Sequence, residues 1–139
     1  MNYSIKQVKS IYAKSMVESK KKRILLAEDD ASMRRFVEII LQQGGYEVLT
    51  AEDGLIAMQI ALAENIEAVV ADAIMPHLSG YDLCRMLRGN DDKKHVPLVI
   101  LSGLTTENSD EPDCIADAFL VKDPKLKEKL TATLQKLLQ

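Results

Sequence analysis

Four short apolar runs in this 139-residue sequence each stop at a polar residue able to do chemistry. Arg23-Ile24-Leu25-Leu26-Ala27 breaks into Glu28-Asp29-Asp30, and Ala68-Val69-Val70-Ala71 ends at Asp72. Leu98-Val99-Ile100-Leu101 stops at Ser102-Gly103, and Ala118-Phe119-Leu120-Val121 stops at Lys122. Taken singly, such residues are ordinary: an aspartate after a strand is a helix cap or turn former, a serine a turn residue, a lysine a solvated charge. Brought to one place, they would be something else. Two carboxylates about 5 Å apart, at an effective dielectric near 20, repel by roughly 3 kcal/mol. Three together force a proton onto one of them unless a divalent cation sits between. Oxygen ligands with room for water suit Mg²⁺. With Mg²⁺ on one side and Lys122 on the other, Asp72 would be a nucleophile toward a phosphoryl group, and Ser102 would donate a hydrogen bond to a phosphoryl oxygen.

The elements that must position these groups are legible from periodicity. The apolar runs are too short for free-standing helices and suit strands buried on both faces. Between them the spacing predicts helices. Met33, Phe36, Val37, Ile40 and Leu41 mark one face of the first, with Asp30 as its N-cap and Gly44-Gly45 as its C-cap. Tyr46 to Thr50 makes a short strand, and Asp53-Gly54 opens a second helix with Ile56, Met58, Ile60 and Ala61 inward. Ser79-Gly80 begins a third, striped by Leu83, Met86 and Leu87. A short helix is expected near Pro112, and a last one follows Asp123-Pro124, lined by Leu126, Leu130, Leu134 and Leu137. Strands alternating with helices give an α/β fold, a parallel sheet covered on both faces. Right-handed crossovers then bring all the strand carboxyl ends to one edge, where open α/β sheets place their sites.

Length and composition fit one folded domain, and charge divides the chain. Residues 1–23 hold seven Lys/Arg against one acid, a net +6, and the remainder holds 11 basic against 20 acidic residues, a net −9. An acidic body argues against nucleic acid as its partner. Residues 1–22 read as a basic extension in which Ile5, Val8, Ile11, Tyr12 and Met16 recur at helical spacing, and residues 23–139 as the domain proper. Cys84 and Cys114 lack metal-ligand spacing and read as small core residues with free thiols. No apolar run approaches the ~18 residues of a membrane span and no secretory leader pattern is present, so a cytoplasmic location is expected.

The set Ile24-Leu25-Leu26-Ala27-Glu28-Asp29-Asp30, Asp72 with Met75-Pro76 and Gly80, Ser102-Gly103 and Lys122 resembles the response-regulator receiver domain of two-component signalling, over residues 23 to 138. The resemblance implies a flavodoxin-like, doubly wound, five-stranded sheet in the order 2-1-3-4-5. It implies Asp72 as phosphoacceptor from a histidine kinase or histidine phosphotransfer protein. Mg²⁺ would be held by Asp29, Asp72, the Ile74 backbone carbonyl and, through water, Glu28. Lys122 would pair with the phosphoryl group, and Ser102 with Phe119 would form the switch that alters a partner-binding face. Such a protein is not an enzyme acting on other molecules; it takes part in its own phosphorylation and its own slow dephosphorylation.

Three departures from the family's pattern matter. Asp123 stands between Lys122 and Pro124, where the family commonly has lysine followed directly by proline. The segment between Ser102 and Phe119 is slightly short, acidic and without a basic residue. The positions two after Asp72 and two after Ser102 hold Ile74 and Leu104, apolar residues that would exclude an attacking water and prolong the phosphorylated state. Asp123 and the acidic segment favour an alternative, a receiver-fold interaction module that works without phosphorylation. A third possibility, a phosphohydrolase with an aspartyl nucleophile, wants an acid where Ile74 stands. With no output segment after the last helix, a downstream protein partner is expected, and self-association through the extension or through the faces of the fourth and fifth helices.

Overall fold

The computed structural model describes residues 2–11, 21–103 and 115–139. Its elements in chain order are α1 (residues 5–11), β1 (Arg23–Ala27), α2 (Ala31–Gln43), β2 (Glu47–Ala51), α3 (Gly54–Ala63), β3 (Ala68–Asp72), α4 (Gly80–Arg88), β4 (Leu98–Ser102), β5 (Ala118–Val121) and α5 (Leu126–Leu137). The five strands form one parallel sheet, as their alternation with helices predicts, in the order β2-β1-β3-β4-β5 that the family resemblance implies. The helix expected near Pro112, with Cys114 and Leu104, lies outside the described residues.

The central strands β1, β3 and β4 are buried on both faces, and the two-residue period of a strand divides the core between them. Leu25, Ala27, Val69, Ala71, Leu98 and Ile100 face α3 and α4, packing on Ala57, Ala61, Leu83 and Leu87. Ile24, Leu26, Val70, Val99 and Leu101 face α2 and α5, packing on Val37, Leu41, Leu126, Leu130 and Leu134. This explains why β1, β3 and β4 are continuous apolar runs rather than alternating ones.

Helices α2, α3 and α4 start where their capping chemistry says, whereas α5 begins at Leu126 behind Lys125 with no side-chain cap. Asp30 accepts from the Met33 amide, Asp53 from the Ile56 amide, and Ser79 with Asp82 forms a reciprocal capping box. Gly45, at φ 92°, turns the chain out of α2, and Tyr46 then bonds back to the Leu41 carbonyl, so β2 begins one residue later than periodicity suggests. Two helix faces are narrower than expected. Phe36 is 50% exposed and Met86 43%. Each sits about 100° around its helix from the buried residue that follows it, Val37 or Leu87, at the margin of the buried stripe. Cys84 is buried with a free thiol, as a core residue should be. Among the described residues no helix is long and apolar enough to cross a membrane.

Candidate functional site

The parallel register carries the polar strand ends to one edge. Ala27 of β1 lies beside Ala71 of β3, Asp72 beside Leu101 of β4, and Ser102 beside Val121 of β5. Glu28, Asp29, Asp72, Ser102 and Lys122 therefore leave the sheet side by side. Glu28, Asp29 and Asp72 each offer a carboxylate oxygen, and the three lie within 4.8 Å of one another. Lys122 bridges two of these acids, with Nζ 2.8 Å from Glu28 Oε1 and 3.0 Å from Asp72 Oδ2. The extra residue Asp123 does not draw Lys122 away. Its carboxylate instead accepts from the Lys125 amide and from Lys129 Nζ, anchoring the turn into α5.

Burial sets the electrostatics. Glu28 is only 2% exposed. Loss of water, reinforced by the neighbouring Asp72 carboxylate and opposed by Lys122, raises its pKa to about 7. Desolvation alone would lower the Lys122 ammonium, but its two carboxylate partners outweigh that and hold its pKa above the ordinary lysine value. Glu28 Oε2 is buried without a hydrogen-bond donor. A bound proton or a cation would satisfy it. The donor set is all oxygen, the ligand chemistry of hard divalent cations.

The connection from β3 to α4 shapes the floor beside Asp72. The Gly80 amide donates to the Ala73 carbonyl at 3.0 Å. A Cβ at Gly80 would stand 2.4 Å from the Asp72 carbonyl oxygen, so only glycine permits this approach. The Ile74 amide lies 3.5 Å from Asp72 Oδ1, and its side chain is 70% exposed at the rim. Ser102 is half-buried at the end of β4, and its backbone carbonyl accepts from the Lys122 amide at 2.8 Å. Phe119 pairs in register with Ile100, two residues before the Ser102–Val121 pair, so Ser102 and Phe119 share a sheet face. The Phe119 ring is 50% exposed.

One residue of the site escaped sequence reasoning. Arg34, on the first turn of α2, donates from Nη1 to the Glu28 carbonyl at 2.9 Å and lies 3.4 Å from the Asp29 carbonyl. The signal was a cation near a helix N-terminus, where the helix dipole disfavours positive charge.

A model of the response regulator receiver domain matches residues 24–135. The chain belongs to that family. Among solved structures, this receiver is similar to the response regulator protein TrrA of Thermotoga maritima, solved in complex with Mg²⁺-BeF, with a TM-score of 0.76, 31% identity and coverage of 84% of this chain and 98% of that one. It is also similar to the chemotaxis response regulator CheY4 of Vibrio cholerae, with a TM-score of 0.76, 30% identity and coverage of 85% and 99%. Among curated relatives, a probable transcriptional regulator ycf27 of Cyanophora paradoxa is 38% identical over 129 residues, which are 88% of this chain and 51% of that protein. The response regulator MprA of Mycobacterium tuberculosis is 33% identical over 117 residues, which are 84% of this chain and 50% of that protein. The receiver thus spans about half the length of the curated relatives it matches. Two-component signalling is therefore its setting.

Proposed function

We propose that this receiver is switched by phosphorylation of Asp72. The observation that carries the proposal is the Lys122 ammonium lying 3.0 Å from Asp72 and 2.8 Å from Glu28, beside a cluster of three carboxylates. Asp29, Asp72 and the Ile74 backbone carbonyl would hold Mg²⁺, with Glu28 joining through water. The unpartnered Glu28 Oε2 and the all-oxygen donor set support that fit. When bound, the cation supplies positive charge that offsets the phosphoryl oxygens.

In the proposed transfer, an Asp72 carboxylate oxygen forms a bond to phosphorus as the bond from phosphorus to the donor's phosphohistidine nitrogen breaks. The nitrogen keeps the electron pair, and Asp72 becomes an acyl phosphate. Lys122 then moves its charge from the carboxylates to a phosphoryl oxygen. The Ser102 hydroxyl donates to another, and Phe119, on the same sheet face, follows the hydroxyl inward. The half-exposed ring leaves a surface that this movement would change. Ile74, at the rim, carries no group that orients a water, which supports slow dephosphorylation.

A histidine kinase or histidine phosphotransfer protein is the proposed donor, and a downstream protein the proposed reader. Residues 1–22 act in this proposal as a separate extension from a domain of residues 23–139. In α1 the Ser4 hydroxyl and the Gln7 side chain cap the helix reciprocally, and Ile5, Val8 and Ile11 remain 49–75% exposed, a face free for self-association. The decisive experiment is intact mass after incubation with a small phosphodonor and Mg²⁺. Wild-type protein should gain one phosphoryl mass and Asp72→Asn none. No gain in either would sink the proposal.

A further inference from the structure

Arg34 takes no part in the transfer just described, yet it touches the backbone of both acids that follow β1. In an extended strand, consecutive side chains point to opposite faces. Glu28 and Asp29 are consecutive, but both reach within 4.8 Å of Asp72, because the chain bends at Asp29-Asp30. That bend must be held. Side chains on a helix lean toward its N-terminus, and from the fourth position after the Asp30 cap the Arg34 guanidinium leans back over the loop. There one nitrogen, Nη1, spans the Glu28 carbonyl at 2.9 Å and the Asp29 carbonyl at 3.4 Å. A cation in the first turn opposes the helix dipole, and that turn holds no acid beyond the Asp30 cap. Locally unfavourable choices of this kind concentrate where function requires them.

We infer that Arg34 is a positioning residue for the cation site: it fixes the bend that aims the Glu28 and Asp29 carboxylates at one point with Asp72. The inference rests on the proposed Mg²⁺ role of those acids. Its sign separates it from simple electrostatics. Removing a positive charge beside a cation site should tighten Mg²⁺ binding; removing the clamp should loosen it.

The test is calorimetric titration of the full chain with MgCl₂, alongside thermal unfolding in EDTA, for wild type, Asp29→Asn, Arg34→Ala and Arg34→Lys. Arg34→Ala should weaken Mg²⁺ binding by ~10–100-fold, the usual cost of losing a residue that orients metal ligands, and Arg34→Lys should recover part of it. Phosphorylation by a small phosphodonor should then reach the wild-type rate at saturating Mg²⁺, with the half-saturating concentration raised. Unchanged or tighter binding in Arg34→Ala, with Asp29→Asn abolishing it, overturns the role of Arg34 alone. Wild-type binding that Asp29→Asn leaves intact overturns the cation site itself. If Arg34→Ala fails to fold, a further variant, Arg34→Met, decides: wild-type or tighter affinity from an unbranched side chain with neither charge nor donor overturns the clamp, and reduced affinity supports it.

Discussion

Glu28 makes the site sensitive to pH in a direction opposite to most carboxylates. Its pKa in the fold is about 7 against an ordinary 4.5, so between those values the folded chain binds a proton that the unfolded chain has released. Stability of the metal-free protein should be greatest below about pH 4.5 as far as this group is concerned, and be lost as pH rises through 7. The total is on the order of 3 kcal/mol. Urea unfolding in EDTA at pH 5 and pH 8 measures it, with Glu28→Gln expected to flatten the difference. The same proton competes with Mg²⁺, so affinity should rise with pH up to about 7 and level off above it. A second prediction concerns lifetime: Ile74→Asn places an amide at the rim and should speed loss of the phosphoryl group several-fold, read by intact mass over time. A half-life of seconds in the unaltered protein would contradict the role given to Ile74. At this scale the sequence revealed which side chains reach the edge, because each terminates an apolar run. It did not reveal that Glu28 is the buried member, nor that Arg34 grips its backbone, since both depend on how one loop folds over.

Elements place these side chains through backbone contacts that side-chain periodicity does not record. The entry to α4 is the clearest case. Because an added Cβ at Gly80 would meet the Asp72 carbonyl oxygen at 2.4 Å, and that oxygen is backbone, Gly80→Ala must push the α4 entry away from β3. Equilibrium urea unfolding should register a loss of about 1–3 kcal/mol, with Mg²⁺ affinity falling in parallel; stability and affinity both unchanged would refute the account. Capping residues were readable because Asp30, Asp53 and Ser79 are chemically suited to open helices and stand just before apolar stripes. The widths of those stripes were not. Phe36 and Met86 look like core residues by type, and only the packed sheet leaves them outside.

For the molecule as a whole, alternation of strands and helices was enough to give a parallel sheet covered on both faces, whereas the strand order β2-β1-β3-β4-β5 was legible only through the family resemblance. The proposed division makes the extension a separate matter, and α1, which carries its own cap and keeps its apolar residues exposed, supports it. Removing residues 1–20 should leave the melting temperature and the uptake of phosphate by Asp72 unchanged, while shifting any dimer to monomer in sedimentation; a chain that unfolds without them would contradict that division. Direction also matters. β1 runs from Arg23 to Ala27, so the chain enters the sheet at the amino edge, where Lys22 bonds to the Leu138 carbonyl, and reaches the acids one strand later. Five residues at about 3.3 Å each separate the two rims by roughly 16 Å. Whatever binds the extension is thus joined to the receiver through the rim opposite the acids, and that tether would raise the local concentration of the receiver around it.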